Sequence, residues 1–258
     1  MFKSFNYSNQ EISNIFSEWN ENKLKSYLLE ISVKILNKKD DSSDIDLIDL
    51  IKEEVESKGT GYMTVVDALE KKIPINIIFS ALEFRNTSFF RKNINIENKI
   101  EFKINTKGKE IIQQIENALY LSFILVFVQG INLIYQHYYL VEKSKLDIVK
   151  LLKVWRNGCI IKCDLLNEFI DFMSNSQDDI NKLFKFVESK NIYLDDLENI
   201  CKLNNLPVIT LSNCLQYYNL IFSETLKSGK LLQAMRDCFG GHMYERTDKE
   251  GKFHTEWI

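Results

Sequence analysis

Hydrophobic positions recur every three or four residues along most of this chain. In NKLKSYLLEISVKIL (22–36), Leu24, Tyr27, Leu28, Ile31 and Ile35 line one face, the spacing of an amphipathic helix. Similar stripes predict helices over 44–57, 64–72, 75–88, 110–141, 145–155, 158–173, 178–189, 194–204, 208–225 and 228–239. Strand-like alternation is confined to KIEFKIN (99–105), too isolated to found a sheet. Helices capped by Asp, Asn, Ser or Thr and joined by short polar turns predict an all-α protein.

The pattern also repeats. IPINIIFSALEFR (73–85) and LPVITLSNCLQYY (206–218) each start a helix at a proline, whose fixed φ and missing N–H suit a first turn. Superposed, they pair Ile75 with Val208, Ile78 with Leu211, Ala81 with Cys214, Leu82 with Leu215 and Phe84 with Tyr217. Their separation is 133 residues, and Trp19 precedes Trp155 by 136, so a helical unit is predicted to occur twice. The second unit opens with the long apolar stretch 110–141, whereas only 18 residues precede Trp19. The first unit is therefore expected to lack its long helix and to expose an apolar groove, as if the chain were truncated at its N-terminus.

Composition narrows the classes. The chain has 258 residues, 45 % hydrophobic and 27 % charged, with a net charge of −3. That balance argues against nucleic acid as a partner. Residues Ala118–Val141 are apolar only as far as Val128 before Gln129, Gly130, Asn132, Gln136 and His137 intrude, so a buried core helix is expected and no membrane span. No signal peptide is evident, and a cytoplasmic location is expected. Five cysteines form no CxxC pair; Cys159 and Cys163 could share a helix face, but small buried thiols are expected in place of a metal site.

Two stretches hold candidate chemistry. KGTGYMT, from Lys58 to Thr64, is neither a P-loop nor a dinucleotide fingerprint. Its glycines would let backbone approach an anion, Thr60 offers a hydroxyl, Lys58 a charge, and Thr64 a possible cap for a helix over 65–72. A plain exposed loop fits the same residues. In QAMRDCFGGHMYE (233–245), Arg236 lies near a helix end broken by Gly240–Gly241, with His242 following. Arg85, ending the Pro74 helix, and Arg236 both read equally as ordinary helix-terminal cations. His137 and His254 read as structural. No nucleophile–base pair and no metal-ligand spacing emerges.

Together these segments resemble the 6-phosphogluconate dehydrogenase family. KGTGYMTVVDALEKKIPINIIFSALEFR is similar to that family's KGTGKWT…AL…GVP…I…AVFAR, and ALYLSFILVFVQG to its ALYASKI…AQG helix. WRNGCIIKCDLL, LLQAMRDCFGGHMYE and FHTEW follow in the family's order, so that the likeness runs from about Ile12 to Trp257. Departures are Tyr62 and Met63 for Lys-Trp, Phe123 for a lysine, Lys162 for an arginine and Asn157 for a glycine.

The resemblance implies an oxidoreductase of the pentose phosphate pathway that takes 6-phosphogluconate and NADP to ribulose 5-phosphate, CO2 and NADPH. It implies that residues 1–258 form the all-helical C-terminal domain, with a first repeat over about 12–107, a second over about 108–239 and a tail over 240–258. By the same resemblance Lys58, Thr60 and Arg85 contact the substrate phosphate, while Arg236 and His242 reach the other subunit's site in a homodimer. The family's catalytic lysine and glutamate, and the Rossmann domain that binds most of NADP, match no residue of this chain, so the chain alone is expected to be inactive. A non-catalytic helical protein kept for dimerisation or partner binding is the alternative.

Overall fold

The structure, a computed structural model, describes residues 1–95, 97, 108–174, 179–203 and 206–258, and the KIEFKIN alternation lies outside them. The described residues are dominated by eleven α-helices, and the chain divides into two units, Met1–Tyr217 and Tyr218–Ile258.

The larger unit opens with a 3-10 turn, Phe2–Phe5, and then a packed pair of helices. Helix α1 (Asn9–Asn20) starts at a capping box, in which Glu11 N–H donates to Ser8 Oγ and Ser8 N–H to the Glu11 carboxylate. It buries Ile12, Ile15 and Trp19 against α2 (Tyr27–Leu36), which Ser26 caps through Leu29 N–H. The helix predicted over 44–57 is replaced by a short 3-10 turn, Leu47–Leu50. Here side-chain acceptors compete with a helix: Asn9 Nδ2 donates to both Asp46 and Asp49 at 2.8 Å, and Asp40 accepts from Ser42 and Ser43.

Helices α3 (Thr60–Glu70) and α4 (Asn76–Lys92) follow. Two expectations change here. Thr64 does not cap α3; it lies inside the helix and donates to the Thr60 carbonyl, because Gly59 in a left-handed conformation (φ +88°) starts the helix earlier. Arg85 does not end α4, which continues to Lys92 because no glycine or proline stops it.

The core of this unit is α5 (Lys109–His137), which ends in a π-helical turn at Tyr138–Glu142. It is apolar and long enough to cross a membrane, yet most of its apolar stretch is buried within the protein. Packed around it are α8 (Ile180–Glu188), α9 (Leu194–Lys202) and the N-terminal part of α4; α7 (Leu165–Met173) packs on α6 (Ile148–Gly158) and α8. Helix α10 (Ile209–Phe222) buries Cys214 and Tyr217. Helix α7 begins seven residues later than 158 because Cys159–Asp164 forms a connection of its own. That connection meets its counterpart before α2: Ser26 and Cys163 form an antiparallel bridge, Tyr27 N–H donates to Lys162 O at 3.1 Å, and Asp164 N–H to Lys25 O at 2.9 Å. Cys159 and Cys163 therefore share no helix face. All five cysteines are free thiols, Cys214 buried and Cys238 exposed, so burial holds for one of them fully and fails for another. Burial pushes the Cys214 thiol up to about 12 and Cys163 up to about 11.

The smaller unit holds α11 (Lys227–Gly240), stopped by Gly241 at φ +58°, and a hairpin absent from the helical prediction. Its strands β1 (Tyr244–Glu245) and β2 (Lys252–Phe253) pair antiparallel, Tyr244 opposite Phe253. Two-residue strands are too short to show a period in sequence.

Candidate functional site

In the larger unit the site begins in the loop before α3. Its course is fixed on α4: Val55 N–H donates to Ser88 Oγ at 3.0 Å, and Lys92 pairs with Glu54 at 3.2 Å. Lys58 follows, exposed, and then Gly59 turns the chain so that Thr60 is the first helical residue. No side chain caps α3, which leaves its first backbone N–H groups open toward solvent beside Lys58. The start of α3 lies close to α4: a Cβ on Gly61 would stand 3.6 Å from Leu82 Cδ1. Arg85 is one turn beyond Leu82 on the same side of α4 and is exposed. Lys58, Thr60 and Arg85 thus belong to one neighbourhood of the α3–α4 pair. Neither cation has an ion-pair partner among the described residues.

Such a set can hold a phosphate. A dianion gains from several converging donors; a guanidinium can meet two of its oxygens at once, and an uncapped helix start supplies N–H groups.

The smaller unit carries Arg236 and His242. Arg236 is exposed near the end of α11 and has no acidic partner among the described residues. His242 follows the left-handed Gly241, and its ring folds back on α11: a Cβ at Gly240 would come within 2.7 Å of His242 Nε2. A larger residue at 240 would require the exposed His242 ring to shift. That ring also meets Phe239 edge-on, with centroids 6.3 Å apart.

The other two histidines pair with acids. His137 lies 3.6 Å from Glu142 and 4.0 Å from Asp67, and His254 Nδ1 is 2.9 Å from Asp237 Oδ1. Asp237 is the residue that sequence reading missed. It is the single fully buried acid among the described residues, and both of its oxygens are engaged by the C-terminal tail and the turn after α11. The signal available was the pairing of an aspartate at a helix end with a tail rich in donors, FHTEW; periodicity does not report it. Among the described residues no three His, Cys, Asp or Glu side chains gather as a metal site.

A mostly apolar cleft of about 230 Å³ opens between Leu28 of α2, Phe123, Val126 and Phe127 of α5, and Trp155 of α6. Phe123 stands where the resembling helix has a lysine, which makes this wall apolar.

Comparison with known proteins agrees along the whole chain. Residues 1–257 match the family described as "6-phosphogluconate dehydrogenase, C-terminal domain". A decarboxylating 6-phosphogluconate dehydrogenase of Buchnera aphidicola subsp. Baizongia pistaciae is 36 % identical over 262 residues, covering 96 % of this chain and 55 % of the relative. One from Lactococcus lactis subsp. lactis is 34 % identical, covering 97 % and 54 %. Among solved structures, 6-phosphogluconate dehydrogenase of Plasmodium falciparum, described in apo form and in complex with its cofactor NADP+ and its substrate 6-phosphogluconate, superposes with a TM-score of 0.86 at 33 % identity; it covers 98 % of this chain and 56 % of that one. The chain spans about half the length of the curated relatives it matches.

Proposed function

This chain belongs to the 6-phosphogluconate dehydrogenase family, whose C-terminal domain it matches, and we propose that it forms the substrate-binding and dimerisation part of an NADP-dependent oxidative decarboxylase. The reaction takes 6-phosphogluconate and NADP+ to ribulose 5-phosphate, CO2 and NADPH, in the cytoplasmic pentose phosphate pathway. Lys58, Thr60 and Arg85 hold the substrate phosphate. Arg236 and His242 complete the site of a second copy in a homodimer. The sequence carries no G-x-G-x-x-G turn, so NADP is held mainly by residues other than those of this chain. The residues here bind and orient substrate and supply no general acid or base.

The observation that carries this reading is the loop Lys58–Thr60: a lysine, a left-handed glycine and an uncapped helix start, fixed onto the helix that bears Arg85. A two-repeat organisation, over about 12–107 and about 108–239, belongs to the same reading. Its support is the reciprocal pairing of residues 25–27 with 162–164, each 137 positions from its equivalent.

Calorimetric titration of the 258-residue chain with 6-phosphogluconate and with unphosphorylated gluconate tests it. Phosphogluconate should bind more tightly, and Lys58→Ala or Arg85→Ala should each lose about tenfold in affinity or more, equal to about 1.4 kcal/mol. Equal affinity for the two sugars, or no effect of either substitution, would leave a helical dimerisation protein without a phosphate site.

A further inference from the structure

The smaller unit presents most of its side chains to solvent, yet it holds one fully buried carboxylate, Asp237, 0 % exposed. Desolvating a carboxylate is costly unless its acceptor sites are filled. Here they are. Oδ1 accepts from Met243 N–H at 2.9 Å and meets His254 Nδ1 at 2.9 Å; Oδ2 accepts from Thr255 N–H at 3.0 Å and from Trp257 Nε1–H at 2.8 Å. Burial alone would raise this carboxyl, but the hydrogen bonds from His254, Trp257 and Thr255 outweigh it and hold it at about 2.

The donors come from two separate segments. Met243 directly follows His242 in the turn after α11, whereas His254, Thr255 and Trp257 belong to the tail. The hairpin brings the tail back, and Tyr244 Oη bonds Thr255 Oγ1 at 2.6 Å, with the Tyr244 ring against Trp257. Asp237 itself follows Arg236 on α11. We infer that Asp237 is a positioning residue, whose carboxylate ties the C-terminal tail to the turn carrying His242, so that an ordered tail fixes where His242 points. The substrate side of this inference rests on the function proposed above; the coupling itself does not.

The test has a ligand-free arm and a ligand arm, both on the 258-residue chain. Asp237→Asn should speed amide exchange at both Met243 and Thr255 by about tenfold or more, the size of a lost hydrogen bond to a charged group, with α5 unchanged. Trp257→Phe, which removes one donor and leaves α11 intact, should speed exchange at Thr255 and shift the His242 ring proton resonances. Exchange at Thr255 that rises while Met243 and the His242 ring stay as in the parent would overturn the coupling, as would a silent Trp257→Phe. With 6-phosphogluconate, Asp237→Asn and His242→Ala should each weaken binding, and the double variant should lose no more than the worse single one. Additive losses would mean that Asp237 does not act through His242. A parent chain that binds no 6-phosphogluconate would remove the proposed function while the exchange data still decide the coupling.

Discussion

Two stretches of the larger unit carry the same pattern and meet different fates. Phe84 on α4 and Tyr217 on α10 occupy matching positions 133 residues apart, yet Phe84 is 55 % exposed and Tyr217 only 2 %. Ala81 and Cys214 differ in the same way, the first exposed and the second buried. Around α5, Phe169 of α7, Leu183 of α8, and Leu197 and Ile200 of α9 are fully buried. The first stretch touches α5 mainly near the start of α4, where buried Gln129 accepts from Ile78 N–H at 3.1 Å and donates to Asn76 Oδ1 at 3.2 Å. Asn76 in turn donates to the Asn213 carbonyl of α10 at 2.9 Å. A stripe of apolar residues thus specifies a helix, and a neighbouring helix decides whether the stripe becomes core.

The difference predicts unequal costs of truncation. Phe169→Ala, on α7 against Phe127 of α5, should lower unfolding free energy by about 3–5 kcal/mol, while Phe84→Ala should change it by less than about 0.5 kcal/mol, both read from urea denaturation. Equal losses would dissolve the comparison. Gln129→Ala should cost about 1–3 kcal/mol by leaving Ile78 N–H and Asn76 without their partner, and exchange should rise first at the start of α4. Loss confined to α5 would show that Gln129 does not join the halves. Ser26→Ala should cost about 1 kcal/mol by uncapping α2, and would report how firmly the 25–27 and 162–164 connections are held. The smallest effect is local and pH-dependent. The folded Asp237 carboxyl sits at about 2, below the ordinary value near 4, so its hold on the tail is complete above about pH 4 and fades as pH falls toward 2. Exchange of the Trp257 indole N–H, followed from pH 5 downward, should rise only in that window.

Much of this architecture was legible in the chain. Ser26 precedes a clear apolar stripe, and the 110–141 stretch reads as a core helix because polar residues interrupt it after Val128. The failures have physical causes. Apolar spacing over 44–57 was overridden by Asn9 and the aspartates, which take hydrogen-bonding groups away from a helix. The start of α3 was misplaced because a threonine is an ordinary cap and a left-handed glycine a rarer one. The repeat pattern stops at Arg85, although no Gly or Pro follows it to stop the helix before Lys92. For the candidate site, spacing offered only separate cations. Lys58, Thr60 and Arg85 fall in one unit and Arg236 and His242 in the other, so their common purpose came from motif resemblance and not from any local period. Asp237 escaped both routes, since its role depends on a tail that returns through a hairpin of two-residue strands.

The central claim is a phosphate site completed by a second copy of the chain, and mixed dimers test it most directly. Lys58→Ala and Arg236→Ala homodimers should each bind 6-phosphogluconate about tenfold more weakly than the parent or worse. A heterodimer of one copy of each should regain one site of parental affinity, because one of its two sites unites an intact Lys58 with an intact Arg236. A heterodimer as weak as both parents, or a monomer that binds with full affinity, would contradict the account.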